Sequence, residues 1–300
     1  MLSKYHSKSD VTKAYIQMHL SILLWGFTGV LGRAIQLQEG MLVWWRVLIT
    51  SLTLLLYLKY TGKSLHVSRK MFLRLTGIGA LLAVHWLFFY GAIKYSNVSI
   101  TLSTFASTAL FTAILDPIVH RKKVRNDEIA FSLLALFGVW LIFSTETHFS
   151  LGIILALLAA FVGAFFNILN KEIVSTVSPD VITFYEIFGG FLSLSIFMPL
   201  YIYIFNPQQF LPNGNDWILL LFLSVVCTQI TMILSLSALK HLSAFTLNLA
   251  INLEPVYGIA LAFMIYRENK DLHWGFFAGS AVIMLGVLLH AIYASKTNKH

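Results

Sequence analysis

Apolar residues run along this chain in stretches of about twenty, separated by short polar connectors, and about twenty residues is the length a helix needs to cross a bilayer. The stretches fall near 15–35, 40–59, 71–93, 96–120, 129–145, 151–170, 181–205, 217–239, 243–266 and 273–294. The pattern predicts an all-α integral membrane protein of ten transmembrane helices. The fifth stretch is the shortest, and Lys94 to Ser96 and Lys240 to Ser243 are expected to be tight hairpins. The first is too long for the apolar core of a signal peptide and has no small-residue cleavage site after it, so it counts as a span.

Composition narrows the picture. Hydrophobic residues make up 58% of the 300 and charged residues 11%, with a mean hydropathy of +0.77. A water-soluble domain carries roughly a quarter of its residues charged, so lipid is the expected solvent. The formal charge of +8 has the sign that suits nucleic acid, but the basic residues sit in connectors and give no such expectation. The single cysteine, Cys227, excludes an intrachain disulfide or a thiolate zinc site. No metal and no cofactor is expected.

The basic residues also orient the chain, because lysine and arginine concentrate in cytoplasmic loops. With an inside N-terminus, sixteen of the 21 fall in cytoplasmic segments. Arg33, Lys94, Arg267 and Lys270 fall outside, and Arg46 lies within a span. Both termini are therefore expected in the cytoplasm. Tails at 1–14 and 295–300 flank two repeats, 15–145 and 151–294, each of five spans. An offset of 146 residues relates Ala92-Ile93-Lys94-Tyr95 to Ala238-Leu239-Lys240-His241, and Arg121 to Arg267. Trp44-Trp45-Arg46 in span two answers Phe184-Tyr185-Glu186 in span seven. Five is odd, so the halves must be inverted, the architecture of alternating-access carriers with a site near the midplane.

Ionisable groups inside a bilayer cost energy and mark candidate sites. Glu254 is the most central. Pro255 follows it and cannot donate a backbone hydrogen bond, so a break or kink is expected there. Such a carboxylate suits an ammonium group or a proton, and the competing reading is a neutral acid tying two helices. His85, with Trp86 beside it, lies midway along span three. Arg46 could hold a solute carboxylate or snorkel to the interface. Glu186 is a further candidate, placed toward the opposite face from Arg46. Thr104, Thr108 and Thr112 at four-residue spacing predict one polar stripe on span four. Asn248 and Asn252 on span nine and Asn167 and Asn170 on span six add amides. Such stripes either line a cavity or glue helices together. Pro255, Pro117 and Gly26 are the candidate hinges. Gly275 and Gly279 predict a close helix contact, within the chain or in a homodimer.

Trp25-Gly26, Arg46, Glu254-Pro255, Arg267-Glu268, Gly279 and Gly286, in this order and spacing, resemble the drug/metabolite transporter superfamily and in particular its EamA-type ten-helix members. The resemblance covers about residues 14–293. Ala109 stands where the second half has Pro255, and Phe131 where it has Gly279. The resemblance implies carriage of small organic solutes such as amino acids, metabolites or drugs, often as export, in the inner membrane of a bacterium. The cationic residues well inside the bilayer are too few for a phosphate-sugar site, so an amino acid or related metabolite is expected, with proton coupling. The rival classes are an intramembrane enzyme and a carrier of drug-like compounds. No HExxH, no GxGD and no paired catalytic carboxylates support the enzyme.

Overall fold

The computed structural model describes residues 8–121, 126–174, 176–239, 241–242, 250–251 and 253–297. Among these every regular element is helical. The first three helices are α1 (Lys8–Ala34), α2 (Glu39–Tyr60) and α3 (Arg69–Tyr95). α4 (Val98–Phe105) and α5 (Thr108–Val119) follow, then α6 (Asn126–Thr145), α7 (Ser150–Lys171) and α8 (Pro179–Phe205). α9 (Gly214–Leu221) runs through a π-helix, Phe222–Ile230, into α10 (Thr231–Leu239). α11 (Glu254–Tyr266) and α12 (Trp274–Thr297) complete the chain.

Seven helical segments are long and apolar enough to cross a membrane, with three shorter apolar helices at Leu133–Thr145, Glu254–Tyr266 and Trp274–Leu289. The protein is an all-helical integral membrane protein. Large apolar side chains stay exposed along the helices, among them Leu56, Ile196 and Met264, as lipid-facing surfaces require. Side-chain caps fix several starts. Asn97 accepts from Ile100 N at 2.8 Å and Asn213 from Asp216 N at 2.8 Å.

Two interruptions depart from continuous spans. The fourth span breaks at Ala106–Ser107, where Ser107 N reaches back only three residues to the Thr104 carbonyl at 3.1 Å. Pro117, an expected hinge, lies instead inside α5, which runs on through it. In the ninth span Pro255 sits in the first turn of α11, where a missing N–H costs nothing, so it starts a helix rather than kinking one. Leu253 N bonds to the Ala250 carbonyl at 2.9 Å just before it. α5 begins at Thr108 and α11 at Glu254, an offset of 146.

Packing pairs the helices in a definite pattern. α1 lies against α10 and α11, while α7 lies against α3, α4 and α5. α2 meets α8, α4 meets α11, and α6 meets α12. Gly279 approaches the Gly138 carbonyl so closely that a side chain there would collide with backbone, and Gly275 abuts Thr145. The small residues of α12 therefore serve a contact with α6 inside this chain. Gly26 sits where α1 crosses α11 at Tyr257 and Gly258, within an uninterrupted helix.

Both ends of the bundle are tied. At one, Glu268 pairs with Arg33 and accepts from Ser99 N at 2.8 Å and Val98 N at 3.1 Å, while Asp216 accepts from Gln36 N at 3.1 Å. At the other, Lys63 pairs with Asp180, Arg74 with Glu172, and His120 Nε2 meets Glu172 at 3.1 Å. Arg74 and His120 hold the Glu172 carboxyl below the usual glutamate range, and Asp180 holds the Lys63 ammonium above its ordinary one.

Candidate functional site

A cavity of about 160 Å³ lies among α1, α2, α3, the α4–α5 break, α7, the π-helix, α10 and the start of α11. Arg46, on α2, is buried in its wall, at 3% exposure. A guanidinium away from water is tolerable only with partners. Its Nε donates to Thr228 Oγ1 at 2.9 Å and one Nη to Tyr90 Oη at 2.7 Å. The guanidinium carbon also lies 3.7 Å from the Trp86 ring centroid, a cation–π contact. The other Nη end remains for a solute oxygen. The π-helix carries Thr228, and the Thr228 hydroxyl donates back to the Leu223 carbonyl at 2.7 Å, five residues earlier. Arg46 is thus an anchored internal cation, and it does not snorkel to the interface.

Glu254 reaches the cavity from the first turn of α11. It is 8% exposed, and a carboxylate in a first helical turn faces the positive end of the helix dipole. No ion pair closes it onto Arg46 within 4 Å among the described residues. One cavity therefore presents a guanidinium and a carboxyl group separately. His85 Nδ1 meets the Ala159 carbonyl at 2.9 Å and its ring lies against Phe105 and Phe89, so Nε2 is the ring atom left for a solute. Thr108 and Asn167 add a hydroxyl and an amide to the wall.

Of the residues expected at a site, Arg46, His85, Trp86, Thr108, Asn167, Glu254 and Pro255 therefore share one cavity. Thr104 does not line it. It is fully buried, with no hydrogen-bond partner for its hydroxyl. The expected stripe fails because the break at Ala106–Ser107 takes Thr104 and Thr108 out of helical register. Glu186 is likewise fully buried and lies off the cavity wall, as do Gly26 and Pro117. Asn248 and Asn252 lie outside the described residues. Trp25, Thr28, Phe105, Cys227 and Thr228 line the cavity without having been expected there. Trp25 stood among the residues of the family resemblance. Thr228 had no signal, because a π-helix shifts the angular position of everything beyond it.

The model of the EamA-like transporter family matches this chain twice, over residues 12–144 and 150–292. The chain belongs to that family. It is a membrane transporter of small solutes, within the drug/metabolite transporter superfamily, and not an enzyme. Similar proteins include an uncharacterized transporter, YxxF, of Bacillus subtilis (strain 168), 26% identical over 275 residues that cover 89% of this chain and 86% of that one. Another, from Archaeoglobus fulgidus, is 24% identical over 294 residues, 93% and 97% of the two chains. A protein of Salmonella typhimurium named as a biotin transporter is 25% identical over 251 residues, 82% and 81%. A solved crystal structure superposes with a TM-score of 0.65 at 15% identity, covering 95% of this chain and 99% of that one, which shows the fold.

Proposed function

We propose that this EamA-family transporter exports an amino acid or a related zwitterionic metabolite by alternating access between two inverted five-helix halves. The observation that carries the reading is the single cavity holding Arg46 and Glu254 without an ion pair between them. A solute carboxylate would take the free end of the Arg46 guanidinium, and its ammonium would take Glu254. The aromatic wall of Trp86, Phe89 and Phe105 suits an apolar side chain.

Three features support the inverted halves. The family match falls once on each half. The broken spans restart at Thr108 and Glu254, at the same 146-residue offset that relates the sequence repeats. The packing also maps onto itself when the halves are exchanged: α1 on α10 and α11 answers α7 on α3, α4 and α5. Ties at both ends fit an occluded intermediate. On this reading the termini and the 61–68 connector face the cytoplasm across a bacterial inner membrane, and the excess of basic residues in those segments supports the orientation. Cysteines at Ser64 and Gln208, each in a Cys227→Ala background, test this in intact cells. An impermeant reagent should label only position 208, and labelling of position 64 instead would reverse the orientation.

The substrate reading is tested by counterflow of labelled amino acids in proteoliposomes, with biotin as comparator. Biotin carries a carboxylate and no ammonium group, so it needs Arg46 and not Glu254. The relative named as a biotin transporter makes this the second reading. Amino acid counterflow that depends on both residues supports the proposal, while biotin counterflow indifferent to Glu254→Gln supports the alternative.

A further inference from the structure

Six carboxyl groups are buried among the described residues, and five of them have an evident use. Glu146 accepts from His273 N at 2.6 Å, Asp180 pairs with Lys63, Glu268 with Arg33, Asp216 accepts from Gln36 N, and Glu254 opens on the cavity. Glu186 alone is wholly enclosed with both oxygens unpartnered. It lies seven residues into α8, about 10 Å along the helix from Pro179.

Glu186 lies at a close crossing between α3 and α8. A side chain on Gly79 of α3 would collide with the Glu186 carbonyl, and one on Gly189 with the Thr76 backbone. The apolar cluster of Leu75, Ile78, Ile173 and Ile182 lies at the same crossing. Asn170 of α7 is the amide beside Glu186 and near enough to offer it a weak donor, though no hydrogen bond of normal geometry forms and the Asn170 Oδ1 is unpartnered too. The titratable groups on the packed elements are engaged elsewhere: Arg74 with Glu172, Asp180 with Lys63, the Tyr185 hydroxyl with the Leu65 carbonyl, His85 with the Ala159 carbonyl, and Arg46 at the cavity. α10 contributes no titratable side chain.

An ionised carboxylate enclosed with one neutral amide beside it and no counter-charge is far costlier to hold than a neutral acid. Resting on the transport reading above, we infer that Glu186 is a proton-binding site distinct from the solute cavity, and that its proton is carried against the solute. While α3 and α8 stay closed, the acid keeps its proton. When the halves part at this end, water reaches it and the proton passes from the carboxyl oxygen to cytoplasmic water, leaving a carboxylate that resists reclosure. Protonation therefore favours the closed crossing and loss of the proton favours the open one, since a ligand shifts a two-state equilibrium toward the state that binds it better.

Two measurements on the full-length protein in lipid test this without any solute. Infrared spectra at neutral pH should show a protonated carboxylic acid band that Glu186→Gln removes and Glu254→Gln leaves. Should Glu186→Gln not fold, Glu186→Asp should shift the same band. The second reads opening of the cavity through maleimide labelling of Cys227, the sole cysteine, which lies on its wall. The wild-type labelling rate, divided by that of Glu186→Gln to cancel the thiol's own ionisation, should rise about fivefold between about pH 6 and about pH 9. A band indifferent to substitution at Glu186, or a flat ratio, overturns the proposal. Neither outcome touches the counterflow test of the solute site, so the two readings fail separately.

Discussion

Arg46 and Glu186 occupy matching places in the two halves, each the third residue of an aromatic-aromatic-charged triplet, and the fold treats them in opposite ways. Around Arg46 it supplies a hydroxyl from the π-helix, a phenol from α3 and an aromatic face. Around Glu186 it supplies glycines, aliphatic side chains and one amide. A buried charge with partners is a fixed feature of its environment. A buried acid without them is stable in one protonation state only, so its environment must change whenever that state does. On our two proposals, the same helix position holds a solute in one half and senses opening in the other.

Arg46→Ala should cut that comparison most deeply. It removes the cation and strands the Tyr90 and Thr228 hydroxyls, and counterflow should fall about a hundredfold, the equivalent of a lost charged hydrogen-bond pair. Arg46→Lys keeps the charge without the planar fork, and should recover only part of the loss. Wild-type rates in either variant would remove Arg46 from the solute site.

The ties at the two ends sharpen the contrast between partnered and exposed charge. Glu268 is 3% exposed and satisfies Val98 N and Ser99 N besides Arg33. Glu268→Ala should cost about 2–4 kcal/mol of stability, read by thermal melting. A smaller effect should come from Gly79→Ala at the α3–α8 crossing, where overpacking costs about 1–3 kcal/mol. Gly77, two residues away with open space around it, is the control, and Gly77→Ala should leave melting unchanged or raise it. Equal effects at both glycines would deny that the crossing is tight.

Smallest of all should be Glu172→Gln, whose partners and carboxylate are solvated at the surface, with no resolvable change in melting at neutral pH. Because Arg74 and His120 lower its pKa in the folded protein, its contribution is present above the ordinary glutamate value. It is lost as pH falls through the lowered one. Any small difference between Glu172→Gln and wild type should therefore lie above the ordinary glutamate value and vanish in acid.

Much of this was legible from sequence, for physical reasons. Span length follows from bilayer thickness, and polar residues stand out against lipid, so Arg46, His85, Trp86, Thr108, Asn167 and Glu254 could be picked out singly. What could not be read is how backbone irregularity re-aims side chains. The break at Ala106–Ser107 carries neither proline nor glycine, and it splits the threonine stripe. The π-helix brings Thr228 to Arg46 without a sequence mark. Pro117, conspicuous in sequence, interrupts nothing. Glu146 and Glu268 sit in connectors, where a carboxylate reads as surface until its backbone partners from distant helices are seen.

The central claim is that Arg46 and Glu254 bind the two ends of one zwitterionic solute. Counterflow of a labelled amino acid should be measured in proteoliposomes for wild type, Arg46→Gln, Glu254→Gln and the double variant, with melting temperatures of the same preparations. The account predicts that each single variant loses counterflow about tenfold or more while melting moves little. The double variant should be no worse than the poorer single one. Wild-type counterflow in Glu254→Gln with a lowered melting temperature would contradict it, leaving Glu254 a structural acid and the cavity without its second pole.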